Sequence, residues 1–411
     1  MQFSTDKFIN YKKGKVRMSN LYDICIIGAG PSGSYAAYLL AKHGYKVLLI
    51  DKNKFPRDKC CGGFLSARAQ KFLESWKIDM PEQNTIYSLK LYSHKMESVK
   101  WESPTTLGTT IVRKDFDNFI VNKAIGQGVK FYGGVIINRI IEEKDKVYIH
   151  TSDDIFTCKI LIGADGVFSF TAKYLGLVYR FPLYNMGYTC SQILNIGSEM
   201  IDKSTIELYC IPFLGGFGWC FPIKNGFNIG VGASAYSYKK LHKFFYEFVY
   251  RVLTNKNIPI ASISPKGAFI PAGGFDRTLC RGRILLIGDA SGGVDPFSGE
   301  GLEHAFFSAS LAVDSICAES LDYPDEICYR YRKKYNREIM PERRISLLAA
   351  IASWKKGELF FNLFKYNPNA MKAFEIIMTS NSPYKYILQN GLRYISGYTF
   401  DILNPLKKLN K

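Results

Sequence analysis

Ile24-Cys25-Ile26-Ile27-Gly28-Ala29-Gly30-Pro31-Ser32-Gly33 is the stretch that decides the architecture. Four consecutive apolar residues read as a buried strand, and Gly28 to Gly33 breaks the pattern. Tyr35 to His43 then reads as a helix leading into a second strand at Lys46 to Ile50. The unit is βαβ, and its turn satisfies GxGxxG between strand and helix. Gly28 permits the tight turn, Gly30 lets the backbone approach a pyrophosphate, and Gly33 allows close packing of helix on sheet. The helix N-terminus contributes N–H donors and the positive end of its dipole to the phosphates. Asp51, closing the second strand, is placed to accept hydrogen bonds from a ribose diol.

Two further buried-strand patterns, Lys159 to Ile162 and Arg283 to Ile287, end in Gly-Ala-Asp and Gly-Asp turns. Strands so far apart with similar endings predict one sheet assembled from discontinuous pieces. Residues 177 to 280 are rich in aromatics and alternating patterns, including Thr205 to Ile211 and Gly226 to Ala233, and predict an antiparallel substrate domain. Beyond residue 325 the sequence becomes basic with helical periodicity; Arg343 to Trp354 carries Ile345, Leu348, Ile351 and Ala352 on one side. The expected class is α/β: a Rossmann-like dinucleotide-binding domain with an inserted antiparallel β-sheet substrate domain and a C-terminal helical section. The first domain comprises 21–62, 105–176 and 281–325, the second 63–104 and 177–280, and the helical section 326–411.

The 411 residues, 47% of them hydrophobic, suffice for both domains and exclude disordered and fibrous classes. Ten cysteines without paired CxxC spacing suggest neither a disulfide framework nor a zinc site, so no metal and a reducing, cytoplasmic setting are expected. The formal charge of +18 accompanies no recognisable nucleic-acid motif; it fits a generally basic surface or attraction to anionic lipid headgroups. Residues 1 to 20 are basic without an apolar core, which argues against a secretory signal, and Met18 offers an alternative start. No transmembrane helix is expected, because glycines and Pro31 interrupt the most apolar stretch, Ile24 to Ala41.

Further segments carry a family resemblance. These are Phe55-Pro56-Arg57-Asp58-Lys59-Cys60-Cys61-Gly62-Gly63, Arg113 with Phe116 and Asp117, Gly163-Ala164-Asp165-Gly166, Phe217-Gly218-Trp219-Cys220-Phe221-Pro222, and Ile287-Gly288-Asp289-Ala290 followed by Pro296, Gly299 and Gly301. Over roughly residues 21 to 315 the chain resembles the geranylgeranyl reductase family, within the p-hydroxybenzoate hydroxylase-like flavoproteins.

That resemblance implies FAD as the cofactor. It puts Cys61 and Gly62 beside the flavin, Arg113 at the ribose or pyrophosphate, and Ile137 at the adenine side. Asp165 and Gly166 match the motif near the pyrophosphate, and Asp289 matches the aspartate that bonds the ribityl chain. Gly301 and Leu302 open a helix toward the pyrimidine edge, where its positive end favours anionic reduced flavin. Phe217, Trp219, Phe221 and Pro222 resemble the substrate-pocket motif YxWxFPK, with Phe217 at the Tyr position and Ile223 at the Lys position.

The implied activity is reduction of carbon–carbon double bonds in a geranylgeranyl or related polyprenyl group. A flavin monooxygenase or halogenase acting on an aromatic or natural product is the alternative on the same fold. A non-enzymatic flavin-binding protein is a third reading. The implied partners are an isoprenoid or lipid substrate and an electron donor, NAD(P)H or a ferredoxin. The C-terminal helices either cover the core or lie on a membrane surface. No proton donor is identified, and His304 reads as structural as readily as catalytic.

Overall fold

The computed structural model describes residues 17–176, 186–196, 202–259, 262–354 and 357–395. Its first layer is a sheet whose centre is the strand Arg17–Ile27, flanked in parallel by Val47–Asp51 and Asp154–Gly163. Lys130–Gly133 extends one side, and Ile284–Leu286 and Cys280–Arg281 extend the other. The strand Val147–Thr151 adds antiparallel to Asp154–Gly163, and Ile137–Glu142 adds antiparallel to Val147–Thr151. All five residues of Val47–Asp51 are buried, as a parallel strand covered on both faces requires. The helix Pro31–Lys42 leaves the glycine turn and packs between Arg113–Gly126 and Leu302–Cys317.

A second sheet of seven strands lies beside the first, and the small sheet Phe64–Ser66, Gly108–Ile111 and Glu82–Ile86 completes the β structure. The seven-stranded sheet is mixed rather than purely antiparallel: Thr205–Cys210 runs parallel to Ser88–Tyr92, while its other pairings are antiparallel. The parallel pair joins strands more than a hundred residues apart, so no hairpin turn signals it.

Register assigns the two faces of this sheet. Leu91, Leu208, Trp219, Gly230 and Ser191 stand opposite one another across successive strands and share one face. The other face packs on the helix Tyr238–Asn255, whose Leu241, Phe245, Phe248, Val249 and Val252 recur at helical spacing and are buried. Gly230 is required on the first face because a Cβ there would enter the Trp219 indole.

Four helices, Met340–Trp354, Gly357–Tyr366, Pro368–Thr379 and Pro383–Ile395, follow the core. Phe361, Phe364, Met371 and Met378 join Leu89, Leu91, Ile206 and Trp219 in one apolar cluster. The helix Met340–Trp354 turns this apolar side outward: Leu348 is 67% exposed and Ile351 42%, whereas Arg343 and Ser346 are buried. The reason is electrostatic. Arg343 donates to Asp295 at 3.2 Å and Glu303 at 2.7 Å, and the Ser346 hydroxyl donates to Asp295 at 2.6 Å. Buried carboxylates left without those donors would cost more than two exposed aliphatic side chains.

Arg343→Ala is therefore expected to lower the unfolding free energy by about 3–5 kcal/mol, whereas Leu348→Ser on the outward face should change it by less than about 0.5 kcal/mol. Urea denaturation of both variants measures the difference; equal effects would refute the inward polar face as the anchor.

Candidate cofactor and substrate site

A cavity of about 1100 Å³ runs from the carboxyl ends of the parallel strands to the open face of the seven-stranded sheet. Its position at the strand ends is where α/β sheets bind ligands. Gly28 sits at φ 103°, a conformation that favours glycine, and donates its N–H to Ile50 O at 2.7 Å. Gly28 and Gly30 line the cavity. Gly33 does not; it lies beneath the turn against the Gly28 carbonyl, where any Cβ would collide, which is the packing task assigned to it. Asp51 accepts the Ala29 N–H and the Asn53 N–H, each at 2.8 Å, so it braces the turn while lining the cavity.

Positive charge gathers beside this turn. Arg113 donates two bonds to Asp117, at 2.7 and 2.9 Å, and Arg57 reaches the same carboxylate at 3.2 Å. Two guanidiniums share one carboxylate, and the buried Arg57 Nε has no hydrogen-bond partner. Arg57 Nη2 would be 3.7 Å from a Cβ at Gly30, so this guanidinium borders the glycine turn. An excess positive charge, an orphaned N–H and a helix N-terminus together fit a pyrophosphate. Arg57 belongs to the Cys61-Gly62 segment, where no pattern in the sequence marks it out, because its alignment with Gly30 depends on tertiary structure.

Asp289 lines the cavity nearby; burial pushes its carboxyl up, and Lys59 and Arg113 pull it back. A Cβ at Gly301 would be 3.8 Å from Asp289 Oδ1, so the two segments meet where Leu302–Cys317 begins. Gly301 and Leu302 both line the cavity. At its opposite end Ile137 lies in the wall beside Ile136, which is 64% exposed. Asp165 and Gly166 also reach the wall, but the Asp165 carboxylate already accepts from the Ser169 hydroxyl and from the Thr171 N–H at 3.1 Å. Burial still pushes Asp165 up.

Cys61 and Gly62 cross the face of the second sheet. Asn228 Nδ2 donates to Cys61 O at 2.7 Å, and Trp219 Nε1 donates to Asn228 Oδ1 at 3.2 Å. A Cβ at Gly62 would stand 3.0 Å from Phe221 and 3.3 Å from Trp219 Nε1, so glycine allows the close crossing. Phe217, Trp219 and Phe221 form one wall, with successive ring centroids 5.8 and 6.3 Å apart. Pro222 falls outside it, since the strand alternation that aims 217, 219 and 221 into the cavity aims 222 away. Phe297, Phe360, Phe364, Phe374 and Met378 close the other side of this apolar arm, and the four on the C-terminal helices gave no motif in the sequence.

His304 lies apart from the cavity wall, fully buried, with Nε2 3.0 Å from Ser291 Oγ; burial holds it neutral, pushing its pKa down to about 3. Among the described residues, no group of three His, Cys, Asp or Glu side chains could hold a metal ion. Nor, among them, is any helix long and apolar enough to cross a membrane.

The glycine turn, the guanidinium pair and the Asp289 carboxylate fit an FAD-dependent oxidoreductase. The chain belongs to the FAD binding domain family, whose model matches residues 21–313. It is 31% identical over 350 residues to an uncharacterized protein of Methanosarcina barkeri, covering 83% of this chain and 86% of that one. A menaquinone reductase of Mycolicibacterium smegmatis is 29% identical over 359 residues, covering 81% and 86%. A digeranylgeranylglycerophospholipid reductase of Methanocaldococcus jannaschii is 28% identical over 341 residues, covering 78% and 84%. Among solved structures, a geranylgeranyl bacteriochlorophyll reductase-like protein of Thermoplasma acidophilum shares the fold with a TM-score of 0.75 at 20% identity, covering 96% of this chain and 100% of that one. The halogenase PltM, in complex with phloroglucinol and FAD, shares it at 0.68 and 16%, covering 91% and 84%.

Arg57→Ala is expected to weaken FAD binding about tenfold to a hundredfold, the equivalent of a hydrogen bond to a charged group at about 1.5–3 kcal/mol. Titration of the apo-protein with FAD, followed by flavin fluorescence, measures it. An unchanged dissociation constant would mean that Arg57 serves only to brace Asp117.

Proposed function

We propose that this protein hydrogenates carbon–carbon double bonds of a geranylgeranyl or related polyprenyl chain. The observation that carries the reading is the state of the polar groups in the apolar arm. Trp219 Nε1, Asn228 and Cys61 O are bonded to one another, so the wall offers a substrate hydrocarbon faces. An isoprenoid tail suits such a wall because it brings no polar group that needs a partner. The names of two relatives, a digeranylgeranylglycerophospholipid reductase and a menaquinone reductase, support a lipid substrate.

FAD, when bound and reduced, would supply the hydride for one alkene carbon, with a proton completing the other. The chain's part is alignment and exclusion of water. Phe217, Trp219 and Phe221 hold the alkene from the sheet side, and Phe297, Phe360 and Phe364 hold it from the opposite side. Asp289, Arg57, Arg113 and the Gly28–Gly33 turn keep the cofactor in register with that wall. NAD(P)H or a ferredoxin supplies the electrons, and the charge of +18 attracts either by long-range steering. The reading carries with it a cytoplasmic protein that touches the membrane peripherally. Leu348, Ile351, Leu363 and Leu388 on the outward faces of the C-terminal helices support such contact.

The test is anaerobic. The FAD-loaded protein is reduced with dithionite, mixed with geranylgeranyl diphosphate or a geranylgeranylated lipid, and followed by its flavin spectrum and product mass. Reoxidation with a gain of two hydrogens per bond is expected; a flavin that stays reduced until oxygen enters would transfer the assignment to the monooxygenase or halogenase class. Trp219→Ala should lower kcat/KM about tenfold to a hundredfold, from roughly 1.5–3 kcal/mol of lost apolar contact, with FAD affinity retained.

A further inference from the structure

The cavity segment from Val294 to Leu302 rests on a cluster of ionised side chains removed from water. Three carboxylates, Asp295, Glu300 and Glu303, meet two guanidiniums, Arg68 and Arg343. Side-chain exposure is 0%, 8% and 7% for the acids and 3% for each arginine. Arg68 reaches Glu300 at 2.7 Å, Glu303 at 3.8 Å and Asp295 at 4.0 Å. Arg343 reaches Glu303 at 2.7 Å and Asp295 at 3.2 Å.

The surrounding elements add few compensating charges. Pro383–Ile395 contributes the Tyr384 hydroxyl, which donates to Asp295 at 2.9 Å, and Met340–Trp354 contributes Ser346. Glu342, on the same helix, is occupied by the N–H groups of Tyr384 and Lys385. The strand Phe64–Ser66 contributes the Ser66 hydroxyl, which donates to Glu300. His304 is neutral, Tyr335 and Arg277 lie on its side of the cluster, and Asp289 is balanced by Lys59 and Arg113. Three acids against two arginines leave one negative charge in excess. A buried charge without a partner costs several kcal/mol, and a single proton removes it.

The three acids do not compete equally for that proton. Burial works against Asp295, but Arg343 and Arg68 hold it below the usual range, and the N–H groups of Phe297 and Ser298 add to them. Glu303 is likewise opposed by burial and held low by Arg68 and Arg343. Glu300 goes the other way: burial pushes it up against the pull of Arg68, and repulsion from Glu303 adds to the rise. Glu300 is also the acid of the three that lines the cavity, two residues before the start of the helix Leu302–Cys317.

We propose that Glu300 is a redox-linked proton site, which takes up one proton from solvent when bound FAD gains two electrons and returns it when the FAD is reoxidised. The cofactor takes its own proton with the two electrons, and the Glu300 proton is additional. The physical link is repulsion across a cavity wall of low dielectric. Negative charge arriving on the cofactor raises the cost of the excess charge beneath it, and a proton on Glu300 cancels that charge. Reduction is favoured where this proton is available, so the potential falls faster with rising pH wherever Glu300 titrates. Glu300 acts here as a positioning residue for charge, not as a donor to substrate.

The experiment is a spectroelectrochemical titration of the FAD-loaded protein, with dithionite as reductant, from pH 5.5 to 9. One extra proton per two electrons steepens the potential by about 30 mV per pH unit. The wild type should show a segment steeper by this amount, and Glu300→Gln, which keeps the shape and the Arg68 and Ser66 contacts, should lack it. Ser66→Ala removes a hydroxyl that stabilises the carboxylate, so its steep segment should move to higher pH. Equal slopes in wild type and Glu300→Gln at every pH, or a Ser66→Ala profile that does not move, would overturn the proposal. A uniform offset without a change of slope would mark Glu300 as merely structural. The inference rests on FAD binding and not on the substrate, so its failure leaves the polyprenyl reading standing, and the reverse also holds.

Discussion

Asp295 is fully buried and ionised, because donors from distant parts of the chain converge on it. Arg343, Ser346 and Tyr384 come from two C-terminal helices, the N–H groups of Phe297 and Ser298 from its own loop, and Arg68 from beside the small sheet. A carboxylate in such a place is tolerated only when every lone pair is answered. The loop that approaches the cofactor is therefore held by the same contacts that dock the helical section, and neither can shift without exposing charge to an apolar interior.

The seven-stranded sheet shows how one strand serves two purposes. In Phe217–Ile223 the side chains of Phe217, Trp219 and Phe221 line the cavity, while Gly218 and Cys220 face the helix Tyr238–Asn255. Opposite Trp219, Gly230 removes the side chain that would lift the indole away from the sheet. The aromatic wall owes its shape as much to a missing Cβ as to the rings themselves.

The cofactor end was the most legible part of the sequence. Its information is local: a strand, a glycine turn, a helix and Asp51 within thirty residues, and then Asp289 at the end of another strand. The strands Val47–Asp51, Thr205–Cys210 and Gly226–Ser234 lie within a residue of where alternation and apolar runs put them. What escaped was non-local. Arg57 meets Asp117 across sixty residues of chain. Helical periodicity in Arg343 to Trp354 puts Ile345, Leu348, Ile351 and Ala352 on one side but does not say which way that side turns, because periodicity counts apolar residues and is blind to a buried carboxylate fifty residues earlier that demands the polar side. Phe360, Phe364, Phe374 and Met378 form no pattern until the helices fold over the sheet.

The Arg57–Asp117–Arg113 arrangement bears on how the chain matures. Two cations sharing one anion, with an N–H left over, is a locally frustrated motif in a chain that has not yet met its nucleotide. The nucleotide is in this sense a late-arriving piece of the core. Because it binds the folded chain and not the unfolded one, each tenfold rise in free FAD above its dissociation constant adds about 1.4 kcal/mol to the stability of the fold. The cell's supply of flavin then governs how much of this protein survives quality control, well before any question of turnover arises.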